Sequence, residues 1–276
     1  LSTPGLRITV LSDNRAMGDL QEEHGFALWI ESGGSRILFD TGQGNVLVSN
    51  AGLLGVDLGS TDSLVLSHGH YDHTGAIAEV LDLSPQARIY LHPSAFLPRY
   101  SIRSERPGSV RMPGESMSAI IARPDDQVRW TNLPVSVEGN LNITGPIPRE
   151  SGFEDTGGPF FLDPEGRHPD PLNDDLAIWF DTGEGLTVCT GCCHSGIVNT
   201  LRYVMKLSGG RRIRRVIGGF HLLNASRERL EKTVEALSEM DILELIPCHC
   251  TGPQATQYLA GNLECRVTPG YAGLRV

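Results

Sequence analysis

Short apolar runs set the rhythm of the first third of the chain: "LRITVLSD" at 6–13, "FALWIES" at 26–32 and "SRILFDTG" at 35–42. Their length and their content of β-branched and aromatic residues predict strands, and the Gly33 and Gly34 pair between the last two predicts a hairpin. A helix is expected over 44–54. "DSLVLSHGH" (62–70) then reads as a strand buried on both faces. Apolar spacing turns helical in "TGAIAEVLDL" and returns to strand in "ARIYLHP".

The second half repeats this style without repeating sequence. "LAIWFDTGEGLTVCTG" (176–191) predicts another hairpin, followed by a helix over 195–208, strand "RRVIGGFH", helix "SRERLEKTVEALSEM" and strand "ILELIPCHC". In the last helix Leu230, Val234 and Leu237 share one face and charges take the others. Strands that lead repeatedly into amphipathic helices predict a layered α/β sandwich, sheets inside and helices outside. Residues 98–127 have no clean period and are rich in proline, glycine and arginine. Such a stretch is expected to be a lid or a surface excursion on one domain spanning 1–276.

Composition narrows the functional classes. The 276 residues are 39% hydrophobic and 20% charged, ordinary for a globular protein. No apolar run approaches the roughly 20 residues of a membrane span, and the first residues lack the layout of a secretory signal, so a soluble cytoplasmic protein is expected. A formal charge of −10 and a pI near 5.3 argue against a nucleic-acid partner. The four arginines at 211–215 then read as a solvated strand entry, with a phosphate anchor as the minority reading. Five of six cysteines fall in two tight groups, poorly placed to pair with one another. A reducing compartment follows, with the thiols buried or near metal.

Candidate chemistry gathers where predicted strands end in glycine-bearing turns. These ends hold Asp40 in "LFDTG", the cluster "HGHYDH" (68–73), Cys192 and His194 in "TGCCHSG", His221 in "GGFHLL" and His249 in "PCHCTG". Loops at strand ends converge on one edge of a sheet, so distant segments can share a pocket. In "HGHYDH", His68 and His70 fall on one side of an extended strand end, and a turn at Tyr71 brings Asp72 and His73 to a second point nearby. One peptide can therefore feed two divalent metals. Lone His92 and His168 carry no such pattern.

The set "HGHYDH", "LFDTG", "GCCHSGI", "GGFHL" and "PCHCTG" resembles the metallo-β-lactamase superfamily over about residues 6–270. Within it the chain is similar to the branch of 7,8-dihydropterin-6-methyl-4-(β-D-ribofuranosyl)-aminobenzene-5′-phosphate synthase. The resemblance implies a four-layer αββα sandwich with a dinuclear centre. It assigns His68 and His70 to one metal, Asp72, His73 and His249 to the other, and Asp40 to hydrogen bonding behind them. Where the family pattern has an aspartate, this chain has Cys192, read either as a bridging ligand or as a buried inert thiol. His194 is the expected substitute for a missing first-site histidine. His221 is open between metal ligand and acid or base.

The implied activity is hydrolysis of an ester, lactone, thioester or phosphoester of a small anionic substrate, by a hydroxide bridging two metals. Zinc is the expected metal, with iron or manganese as alternatives. Asp72 and His221 are the expected proton carriers; Arg99, Arg103, Arg106 and Arg111 are the expected anion-binding residues. The branch name implies instead a transferase that joins an aminobenzoate to a phosphoribosyl donor with loss of carbon dioxide and pyrophosphate. A third class is iron redox chemistry or a ligand sensor on the same fold.

Overall fold

A computed structural model describes residues 5–103 and 106–276. In chain order the elements are β1 (Arg7–Ser12), β2 (Ala27–Ser32), β3 (Ser35–Phe39), α1 (Leu47–Leu54), β4 (Ser63–Val65), α2 (Tyr71–Thr74), α3 (Ile77–Leu83) and β5 (Arg88–Leu91). Next come β6 (Tyr100–Arg103), β7 (Arg106–Ser109), α4 (Gly114–Ile121), β8 (Val128–Trp130), β9 (Val135–Val137), β10 (Leu141–Ile143), β11 (Phe160–Phe161) and β12 (Ala177–Asp181). The chain closes with β13 (Leu186–Thr190), α5 (Ile197–Leu207), β14 (Ile213–Gly219), α6 (Arg227–Ser238), β15 (Glu244–Cys248), α7 (Pro253–Asn262) and β16 (Arg266–Val267).

Alternation along the strands builds the layers. On β3, Ile37 and Phe39 enter a core shared by both large sheets, whereas Leu38 packs outward against α1 and α3. On β14 and β15, Ile217 and Ile246 enter that same central core, whereas Val216 and Leu245 pack outward against α5, α6 and α7. Side chains alternate across a strand, so each sheet with two apolar faces needs cover on both. Three cores between four layers are the result, an αββα sandwich. One sheet runs β1-β2-β3-β4-β5-β8 and the other β16-β15-β14-β13-β12-β10-β9. The β2–β3 hairpin turns on Gly33 and Gly34, with φ of 58° and 87°, the left-handed pair that a tight two-residue hairpin demands.

Strand polarity places the candidate residues. Strands β3, β4 and β5 run parallel, as do β13, β14 and β15, with Phe39 beside Val65, Thr190 beside Gly218 and Gly219 beside Cys248. Asp40, the 66–70 segment, Cys192, His221 and His249 therefore leave the two sheets at neighbouring exits. The strand expected to run to His70 stops at Val65, and Asp72 and His73 lie within the single turn α2. The stretch 98–127, irregular by sequence, holds the β6–β7 pair and α4. Strand β6 also pairs with β11, so that part of this stretch is tied into a small third sheet.

Candidate metal centre

Backbone strain marks the exits. Asp40, Cys193, His221 and His249 all have left-handed φ, between 45° and 60°, although none is glycine. Non-glycine residues hold that conformation at a cost and cluster at functional sites. Glycines supply the close approaches: a Cβ on Gly69 would lie 2.2 Å from the Ala95 carbonyl oxygen, and one on Gly191 would lie 2.0 Å from Ser67 Oγ.

Four histidines are oriented by the same device. His73 donates Nδ1–H to Asp40 Oδ2 at 2.7 Å, and His194 donates Nδ1–H to the Thr156 carbonyl at 2.8 Å. His249 donates Nδ1–H to Asn14 Oδ1 at 2.7 Å. The Ser67 hydroxyl donates to Asp40 Oδ2 at 2.7 Å, so its oxygen accepts from His68 Nδ1 at 2.9 Å. Each bond fixes the tautomer and leaves a bare Nε2 for a metal, as hydrogen-bonded partners behind ligating histidines do. Asp40 Oδ1 also accepts from the Ser67 amide at 2.7 Å, which places this one buried carboxylate behind both His73 and His68.

The free nitrogens converge. His68 Nε2 is 3.0 Å from His70 Nδ1, His73 Nε2 is 3.1 Å from Cys192 Sγ, and His249 Nε2 is 3.2 Å from Asp72 Oδ2. Donor atoms of His68, Cys192 and His194 lie within 4.8 Å of one another, as do those of His73, Cys192 and His249. Cys192 Sγ thus stands between the two histidine sets. It also belongs to a third group with His221 and Cys250. Cys248, by contrast, is buried in the core between the sheets.

Electrostatics favour neutral imidazoles at His68, His70 and His194 and an ionised aspartate. At His73 burial opposes charge, but Asp40 and Asp72 outweigh it and raise the imidazole to about 9, so a metal there would displace a proton. Burial, reinforced by neighbouring imidazoles, holds His68 and His194 well below their ordinary value, and burial takes His70 down to about 3. Burial also opposes charge on Asp72, but His73, His24 and His249 outweigh it and hold its carboxyl well below the usual range. Buried nitrogens His194 Nε2 and His249 Nε2 have no hydrogen-bond partner among the described residues. Such orphans cost free energy unless a ligand satisfies them. Imidazole, carboxylate and thiolate donors suit a divalent transition metal.

The Lactamase_B family model, the metallo-beta-lactamase superfamily, matches residues 20–203. This chain belongs to the metallo-β-lactamase superfamily. Its similarity extends to an uncharacterized protein of Methanocaldococcus jannaschii, MJ0448, 32% identical over 92% of this chain and 93% of that protein. The 7,8-dihydropterin-6-methyl-4-(beta-D-ribofuranosyl)-aminobenzene-5′-phosphate synthase of the same organism is 30% identical over 84% of this chain and 82% of that protein. Among solved structures, Tm1679, a metal-dependent hydrolase of the β-lactamase superfamily, is 30% identical with a TM-score of 0.83, covering 98% of both chains. Members of the superfamily bind metal ions and are usually enzymes, and the histidine, aspartate and thiol groups above are this member's candidate ligands.

The arginines divide differently from the sequence expectation. Arg99 is not a substrate-binding residue. It is fully buried, with Nε 2.8 Å from Asp170 Oδ2 and both Nη atoms bound to Asp174. Its donors are spent on holding Asp174, whose Oδ2 accepts from the Gly69 amide at 2.7 Å and so pins the His68–His70 segment. Arg106 and Arg111 are exposed and do not line the cavity over the cluster; Arg111 meets His70 through a backbone bridge. Arg103 does line that cavity, together with His221. His92 caps a turn by accepting from the Ser94 amide, and His168 pairs with Asp163 on an exposed loop.

Two residues escaped the sequence reading. His24 Nε2 lies 3.2 Å from Asp72 Oδ2, and its side chain is 55% exposed at the cavity. As a lone histidine in a loop it carried no spacing signal. Ser67 precedes the histidine cluster directly, and only its bonds to Asp40 and His68 reveal what it does.

Proposed function

We propose that the protein is a metal-dependent hydrolase that holds two divalent ions, with zinc the leading metal. The supporting observation is the pair of donor sets, His68, His70 and His194 against Asp72, His73 and His249, with Cys192 Sγ between them. Two divalent ions held by these donors would supply a nucleophile from water at neutral pH and polarise the electrophile.

The chain's own groups do the rest. Asp72 Oδ2, between His24 Nε2 and His249 Nε2 at 3.2 Å each, is positioned to take a proton from incoming water and pass it to exposed His24. His221 and Arg103 stand at the wall of a cavity of about 310 Å³ over the cluster, facing a substrate of modest size. Phe160 meets the His194 ring edge to face, centroids 5.2 Å apart, and shields that side from water.

The test is a panel of esters, lactones, thioesters and phosphodiesters, with metal content measured by mass spectrometry on protein purified without a metal column. Two equivalents of metal and a turned-over class are expected, both lost in the His68→Ala, His70→Ala double variant. Turnover that survives that variant sinks the reading. The named synthase relative favours a second reading, phosphoribosyl transfer. Pyrophosphate release that needs both an aminobenzoate and phosphoribosyl pyrophosphate would select it.

A further inference from the structure

A second cavity, about 610 Å³, opens beside the first and shares His221 and Arg103 with it. Its floor is the N-terminal end of α6. Asn224 and Ser226 line it, and the Ser226 hydroxyl caps the helix by accepting from the Arg229 amide at 3.1 Å. Arg229 also lines it, only 6% exposed.

The guanidinium is poorly provided for. Nη1 pairs with Asp155, whose side chain is 74% exposed, while Nε and Nη2 are buried and have no partner among the described residues. A buried cation with unmet donors is costly. Nε and one Nη form the planar fork that receives two oxygens of an oxoanion at once. Arg103 adds a second positive charge, and the N-terminal end of a 12-residue helix adds a partial one. Against these, among the described residues that line the cavity, stands one carboxylate, Asp155, bonded to the Gly157 amide at 2.8 Å. The wall closes tightly on the residue that both cavities share: a Cβ at Gly157, where φ is 79°, would fall 1.9 Å from the His221 ring.

We infer that this cavity is the subsite for a phosphate group on the substrate, held by the Arg229 fork and Arg103, with the scissile bond reaching past His221 to the metal ligands. The inference rests on the hydrolase reading for its orientation, but phosphate binding itself does not require turnover. Among the described lining residues, two cations and a helix end against one carboxylate match a dianionic phosphate better than a monoanionic carboxylate.

The test is isothermal titration of the metal-loaded protein with inorganic phosphate, and separately with acetate. Any phosphate bound at the metals contributes equally to every variant, so the differences report this subsite. Arg229→Gln should weaken phosphate binding by about tenfold or more. Because Arg229 is buried, an exposed partner is tested as well: Asp155→Asn frees Nη1, removes the competing charge and should tighten binding by about threefold. Phosphate affinity unchanged in both variants, absent phosphate binding, or acetate binding as tight and as dependent on Arg229, each overturns the inference. If phosphate binds as expected and no hydrolysis is found, the subsite stands and the hydrolase reading falls.

Discussion

Replacing Asp40 by Asn tests the orienting network at its centre. The substitution preserves shape, and asparagine tolerates the left-handed backbone at φ 60°, so the effect is electronic rather than conformational. One orientation of the new amide keeps its oxygen on the Ser67 amide. Its nitrogen then faces the His73 Nδ1–H, donor against donor. His73 must move its proton to Nε2 and lose the lone pair that a metal needs. The same nitrogen now donates to Ser67 Oγ, which turns its own hydrogen toward His68 Nδ1 and drives His68 to the same wrong tautomer. In the other orientation the tautomers survive, but the buried Ser67 N–H meets a donor, costing about 1–3 kcal/mol. Either way, the three 2.7 Å contacts that one carboxylate satisfies together cannot all be kept by an amide. Loss of such a partner lowers metal affinity by about 10–100-fold, or about 1.4–2.7 kcal/mol. Competition against a chromophoric chelator, with stoichiometry by mass spectrometry, measures it. Because Asp40 serves both His73 and His68, both metals should weaken, whereas Ser67→Ala should weaken chiefly the one at His68. A folded Asp40→Asn protein that holds two metals within about threefold of wild-type affinity would refute this account.

Three further outcomes are expected. Arg99→Met strands the buried charges of Asp170 and Asp174 and should cost about 3–5 kcal/mol in urea unfolding, against almost nothing if the ion pairs were solvated. Burial raises the Asp175 carboxyl from 3.8 to about 6, so between those values the native state keeps a proton that the unfolded chain has released. Stability should therefore fall as pH rises through that window, by about 3 kcal/mol at pH 7, and Asp175→Asn should flatten the slope in a pH series of unfolding midpoints. In cobalt-loaded protein, Cys192→Ser should abolish the thiolate-to-metal absorption in the near ultraviolet; an unchanged spectrum would make Cys192 a bystander.

The αββα layering was legible because strand alternation and helical faces are local signals: Leu38 and Ile37 declare opposite sides within two residues. The ligand candidates were legible because four of them crowd one peptide. Arg99 and Arg229 were not, since charge alone does not tell an exposed arginine from a buried one. What decides is the company: Asp170 and Asp174, 71 and 75 residues along the chain from Arg99, absorb its donors, while among the described residues Arg229 finds only Asp155 as a charged partner. His24 was equally silent because its partner Asp72 lies in another segment. The β6–β7 pair was hidden because its strands are mostly exposed and lack the alternation that a buried face imposes.

The bond from the His249 amide to Asp13 Oδ1, 2.7 Å long, joins residues 236 apart. A histidine fixed that way has no defined place until nearly all of the described chain has been made and both sheets have closed on each other. During synthesis, the nascent protein can at first offer a metal the His68–His73 peptide alone, a floppy chelator with two of the three donors in each set. Selective uptake thus belongs to the finished fold, and a product cut short before β15 would release its ions to any competing chelator.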